Sequence, residues 1–166
     1  MTYQHITDVK VTAKFSDDKK FRYRLEISLE NPSHRTKTVC VVMQNPSCAD
    51  ENVADKSVKF MEKVVFQKSL PEFASVRRLI VVNQFAHIQT KNFKGLASEI
   101  GSKNNAAIKS ALKESDIIIL GWGVANPFKE RQAFVLGLIY KMSNKEIFKT
   151  KKHPSRAGYD GFILSA

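Results

Sequence analysis

The chain has 166 residues, 43 % hydrophobic and 26 % charged, which suits one globular domain with its own core and excludes global disorder. Lys and Arg total 27 against 16 Asp and Glu, a formal charge of +11, the footprint of a protein that meets polyphosphate, because each neutralised phosphate releases condensed counterions. Two cysteines make no disulfide framework, and no apolar run approaches the roughly 20 residues that span a bilayer.

The opening Met1-Thr2-Tyr3-Gln4-His5 lacks the apolar core of a signal peptide. A cytoplasmic protein with no membrane contact is expected, folded as a single domain over residues 1–166 with 1–30 as an edge strand or N-terminal extension. After a turn at Ser16-Asp17-Asp18, the run Phe21–Leu29 alternates apolar with polar residues and predicts a half-exposed antiparallel edge strand. Three later runs, Thr38–Met43, Leu79–Val82 and Ile117–Leu120, are continuous and rich in β-branched residues. That is the pattern of strands covered on both faces in a parallel sheet.

Helical spacing lies between these strands. Val58, Met61, Val64 and Val65 share one face of a helix that ends before Pro71. Ser102 is the expected N-cap of a helix with Ile108, Ala111 and Leu112 on its apolar side. Asn126-Pro127 reads as a helix start ahead of Phe134, Val135, Leu138, Ile139 and Met142. Strands alternating with helices predict an α/β protein, a three-layer α/β/α arrangement around a central, mostly parallel sheet.

In open α/β sheets, ligands bind beyond the carboxyl ends of the strands. The first buried run ends in Gln44-Asn45-Pro46-Ser47, the second in Asn83-Gln84-Phe85, the third in Gly121-Trp122-Gly123, and a later loop carries His153-Pro154-Ser155-Arg156. Amides, a hydroxyl, aromatics and a histidine on one rim suit a site that hydrogen-bonds and stacks a planar base. Each has a plainer reading: Asn45 as a turn residue, Asn83 as a partner for loop backbone, His153 as a surface residue, Trp122 as packing. Asp50 and Asp55 are either site residues or caps for the helix after Ser47. Lys141, Lys145, Lys149, Lys151, Lys152 and Arg156 crowd the end of the chain around His153, placing phosphate-clamping charge beside it. A second basic cluster is Lys19, Lys20, Arg22 and Arg24. No CxxC or HExxH occurs, so no metal site is expected, and no glycine-rich phosphate loop occurs.

At these residues the chain resembles the uracil-DNA glycosylase superfamily. Met43-Gln44-Asn45-Pro46-Ser47 is similar to its first motif, Asn83 to its base-reading Asn, Leu120-Gly121-Trp122-Gly123 to the strand end before its last long helix, and His153-Pro154-Ser155 with Tyr159, Gly161 and Phe162 to its closing motif. The chain also resembles a bacterial and phage family sharing Asn-Pro-Ser-x-Ala-Asp and a late His-Pro. The resemblance covers about residues 38–162 and departs from the superfamily in two places. Met43-Gln44 replaces the usual glycine, and no aromatic follows Pro46 to shield the pocket.

What the resemblance implies is a DNA glycosylase of the same fold that flips out a base and hydrolyses its N-glycosidic bond, leaving an abasic site. Asn45 would position the attacking water and His153 would stabilise the departing base. Asn83, Gln44, Trp122 and Phe85 would bind the base, while Ser47, Lys151, Lys152, Ser155 and Arg156 would bind DNA. The absent shield implies a bulkier or modified base, and favours defence against phages with modified DNA over repair. A monomer acting on DNA, needing no metal or organic cofactor, is expected. The alternatives are a non-catalytic nucleic-acid-binding module and a hydrolase or transferase of free nucleosides or nucleotides.

Overall fold

The computed structural model describes all residues, 1–166. The chain runs β1 (Val9–Phe15), β2 (Arg22–Leu29), β3 (Lys37–Met43), α1 (Lys56–Phe66), β4 (Val76–Asn83), α2 (Asn104–Glu114), β5 (Ile117–Leu120), α3 (Lys129–Tyr140), β6 (Glu146–Thr150) and β7 (Ile163–Ser165), with short 3-10 turns at Pro71–Phe73, Ala97–Glu99 and Pro154–Arg156. One seven-stranded sheet has the order β1-β2-β4-β3-β5-β6-β7. The inner strands β4, β3, β5 and β6 pair in parallel. The flanking pairs β1–β2, β2–β4 and β6–β7 are antiparallel. The sheet is therefore evenly mixed rather than mostly parallel.

The β-branched runs form the centre because they can be covered on both faces. Val39 and Val41 of β3, Leu79 and Val81 of β4, and Ile117 and Ile119 of β5 face one side. There they pack with Val58, Met61, Val64 and Val65 of α1 and with Phe162. The alternate residues Cys40, Val42, Ile80, Val82, Ile118 and Leu120 face the other side against Ile108, Ala111 and Leu112 of α2 and Val135 of α3. One helix on one face and two on the other make the α/β protein three layers deep. Burial pushes the Cys40 thiol up to about 12, so it acts as a small hydrophobe.

Three local expectations are corrected. The strand predicted at the edge, β2, lies inside the sheet, because β1 pairs along it from Val9–Leu29 to Phe15–Arg22; β1 itself has alternating half-buried and exposed residues. Ser102 does not cap α2. Gly101 turns the chain at φ +91, Lys103 takes the N-cap position without a side-chain bond, and the buried Asn104 donates to the carbonyls of Asn83 and Gln84. The Asn126-Pro127 signal precedes α3 by two residues, because the Asn126 carboxamide is drawn into a buried amide network and accepts from the Phe128 N–H on its way into the helix.

Candidate functional site

The order of the parallel strands decides where a ligand can enter. From β3 the chain crosses through α1 to β4 on one side, then returns through α2 to β5 on the other. The helices leave in opposite directions at the β3/β5 boundary, and such a switch point opens a crevice beyond the strand ends. A cavity of about 850 Å³ lies there, lined by the β3 end (Gln44, Asn45, Ser47), the β5 end (Trp122 to Pro127) and the loop after β6 (Lys151, Lys152, His153, Ser155, Arg156). That volume falls within the roughly 300–1,000 Å³ of small-ligand sites.

Asn45 is held in one orientation. Its Nδ2 donates to the Gln89 carbonyl at 2.8 Å and the Pro46 carbonyl at 3.3 Å, so two carbonyls fix which end of the carboxamide is nitrogen. The Oδ1 accepts from Gln44 Nε2 at 3.2 Å and keeps a second lone pair.

His153 is held equally well. It caps the short turn Pro154–Arg156 and its Nδ1 accepts from the Ser155 amide at 3.2 Å. An amide can only donate, so Nδ1 carries no proton and the neutral ring is protonated at Nε2. Burial, with Arg156 adding repulsion and Asp55 opposing it, pushes the imidazole down to about 4. The ring is therefore neutral at pH 7, and Nε2–H is its one donor.

Glycines set the distance between these loops. Gly123 sits at φ +84, and a Cβ there would lie 2.7 Å from the His153 amide nitrogen. A Cβ on Gly121 would lie 2.6 Å from Val41 Cγ2. Trp122 between them is 9 % exposed and packs into the α2/α3 side of the core while also forming cavity wall; packing and lining are both true of it. The far side of the His153 loop is clamped to α1, where Tyr159 stacks on Phe60 at 4.6 Å and Phe162 meets Phe60 edge-on.

Of the residues predicted for the site, Gln44, Asn45, Ser47, Trp122, Lys151, Lys152, His153, Ser155 and Arg156 share this cavity. Asn83 and Phe85 do not. Asn83 is 2 % exposed because it follows Leu79 and Val81 onto the α1 side of the sheet, where its Oδ1 faces Arg22 Nη2 at 3.4 Å. Phe85, 2 % exposed, is locked edge-to-face between Phe93 and Phe128. Neither can touch a ligand in the cavity as the chain stands. The second basic cluster is likewise not one surface: Arg22 and Arg24 are buried, and Arg24 pairs with Glu26 and Glu114. Asp55 is the helix cap, accepting from the Val58 amide at 2.9 Å, and Asp50 closes a turn onto the Asn52 and Val53 amides.

The main residue that sequence reasoning missed is Asn126. Its Nδ2 donates to Gln44 Oε1 and Gln84 Oε1, each at 3.1 Å, and Gln132 Nε2 donates to its Oδ1 and carbonyl, both at 2.9 Å. Asn126 thus aims Gln44 at Asn45. The only signal in the sequence was the Asn-Pro pair, which a helix start explains equally well. Ser57, Gln89 and Thr90 also line the cavity and had no signal.

Residues 22–156 match the model of a family described as protein of unknown function (DUF1643). The chain belongs to that family. The matched span begins at the first residue of β2 and ends at Arg156, so it includes every residue that lines the cavity. No curated protein and no solved structure matches the chain. No helix is long and apolar enough to cross a membrane.

Proposed function

We propose that this protein is a DNA glycosylase with a uracil-DNA-glycosylase-like site, hydrolysing the N-glycosidic bond of a modified or damaged base extruded into the cavity. The observation that carries the reading is that Asn45 and His153, 108 positions apart by their numbers, line one cavity with opposite chemical offers: a fixed carbonyl oxygen and a fixed neutral N–H donor.

The chemistry follows from those offers. A base in the duplex stack exposes no path to its C1′–N bond, so the nucleotide must be flipped. As that bond breaks, its electron pair leaves with the base, and positive charge builds on the sugar. His153 Nε2–H donates to the developing anion, and a donor already in place needs no reorganisation at that moment. A neutral donor suits this task, because it stabilises the leaving group without the cost of burying an imidazolium. Asn45 Oδ1 accepts a hydrogen bond from the water that adds to C1′. An amide is no base, so the sugar cation forms ahead of the attack. The water's oxygen ends on C1′, one proton goes to solvent, and the departed base takes up another. Gln44, steered by Asn126, offers the polar atoms that read the base edge, in the place expected for Asn83. Trp122 supplies a flat wall. Lys151, Lys152 and Arg156, all exposed, hold the phosphates.

The absence of an aromatic after Pro46 supports a bulky or modified base, and with it a role in defence against phages with modified DNA. Incubation with DNA carrying uracil, 5-hydroxymethylpyrimidines or glucosylated pyrimidines, followed by alkali, should cut at abasic sites in at least one substrate. His153→Ala and Asn45→Ala should each slow this by about 10²–10³ fold, the usual cost of one oriented donor, while leaving DNA affinity within a few fold. Intact strands from every substrate, with a folded protein that still binds DNA, would leave only the binding-module reading.

A further inference from the structure

A smaller cavity of about 300 Å³ abuts the first, sharing Asn45, Ser47, Ser57, Thr90, His153 and Ser155 with it, and is closed by Arg22, Asp55 and the start of α1. Arg22 is the unexplained element. It is 1 % exposed, and burial lowers its guanidinium to about 10, which still leaves it charged at neutral pH. No carboxylate lies within ion-pair distance: Asp55 caps α1 and Asp50 closes its own turn, and the two act on it only through space, raising it against burial. Its Nη1 donates to the Ala49 carbonyl at 2.9 Å, Nη2 reaches Asn83 Oδ1 at 3.4 Å, and Nε has no partner. Asn83 Nδ2, beside it, also has none. A buried cation with unpaired donors is costly, and its cost falls when a ligand brings the missing acceptor.

The start of α1 points to what that ligand is. Lys56 and Ser57 occupy the first two helical positions, where amides have no partner inside a helix, and both residues line this cavity. The eleven-residue helix therefore turns its positive end toward the same space as Arg22. Asp55, the cap itself, offsets part of this charge while its Oδ1 accepts from the Val58 amide.

We propose that this cavity is an oxyanion subsite, taking a phosphate group of the nucleotide whose base enters the larger cavity. The proposal rests on the glycosylase reading for the identity of that nucleotide, though not for the anion itself. Arg22 supplies planar charge from one side, and the Lys56 and Ser57 amides supply donors from the other. Held there, the phosphate fixes the sugar between Asn45 and His153.

Calorimetric titration tests this with 2′-deoxyuridine, its 5′- and 3′-monophosphates, and inorganic phosphate, in a chloride buffer. At least one monophosphate should bind about tenfold or more tightly than the nucleoside. That preference should vanish in Arg22→Met and in Ser57→Asp. The second variant places an acid in the first turn, where it favours the helix, so its fold is retained even if Arg22→Met fails to fold. Inorganic phosphate binding as tightly as the monophosphates would place the recognition in the oxyanion alone. Equal affinity for nucleoside and monophosphates, or an undiminished preference in Ser57→Asp, would overturn the subsite. Phosphate-dependent binding without base release from any DNA would keep the subsite and reject the glycosylase.

Discussion

Gly123 and His153 meet backbone to backbone: a Cβ on Gly123 would lie 2.7 Å from the His153 amide nitrogen, at a φ of +84. Any side chain at 123 must both strain its own backbone and push the imidazole loop outward. Gly123→Ala should therefore cost about 1–3 kcal/mol and lower Tm by several degrees, on the scale of about 2–4 °C per kcal/mol for a chain this size. On the proposed activity, it should also slow base release more than its stability loss explains. Calorimetry and single-turnover kinetics on the same sample separate the two effects. An unchanged rate would show that the loop position does not govern catalysis.

Two histidines should give stability opposite slopes with pH. His5 donates through Nδ1 to Glu62 at 2.7 Å and through Nε2 to the Asp50 carbonyl at 2.8 Å. Both partners are acceptors, so the ring holds two protons. Burial alone would lower its pKa, but the bonds to Glu62 and Asp50 outweigh burial and raise it. Its contribution is present below the unfolded value of about 6.5 and fades as pH rises through the higher folded value. The Tm gap between wild type and His5→Gln should narrow with rising pH.

His153 acts the other way. Its folded value of about 4 lies below the unfolded one, so the unfolded chain binds the extra proton as pH falls from about 6.5. Wild type should lose up to about 3 kcal/mol between there and pH 4, at about 1.4 kcal/mol per unit, and His153→Gln should lose less. Between pH 6 and 8 the rate should show no inflection from His153. A titration of the imidazole near 6.5 by NMR would sink the neutral-donor reading.

Asn126→Leu should cost about 1–3 kcal/mol, because it leaves the buried Gln84 Oε1 and the half-buried Gln44 Oε1 without their donor. Since Gln44 also donates to Asn45, the variant should lose discrimination between bases, read as the ratio of kcat/KM for two modified substrates. A lower Tm with an unchanged ratio would confine Asn126 to a structural role.

Phosphate contacts can be counted by salt. Lys151→Ala, Lys152→Ala and Arg156→Ala should each reduce the slope of log affinity against log salt by about 1, whatever the DNA sequence. Slopes identical to wild type in all three would move the DNA path away from the β6 loop.

The sequence carried the parallel centre of the sheet because its strands are continuous β-branched runs, which only two-sided burial explains. It hid β1, whose Lys10, Thr12 and Lys14 are exposed and dilute the apolar signal, and β6, whose five residues sit inside a basic stretch that reads as surface. The strand-end motifs were legible in kind but not in direction. Asn45 and Asn83 both end a buried strand, yet only Asn45 reaches the cavity, because Asn83 is covered by Arg22 arriving from β2. That covering depends on an antiparallel pairing between distant segments, which no local spacing encodes. Arg22 and Asn126 were invisible as site residues for the same reason: their partners come from other elements.

Trp122 is the only tryptophan in the chain, and it stands in the cavity wall. The protein thus carries a built-in optical reporter at the one place where its emission is informative. Intrinsic fluorescence, with no label and no change to the sequence, should shift when a base stacks against the indole, so that, on the proposed activity, arrival of a flipped nucleotide can be timed separately from cleavage of its bond.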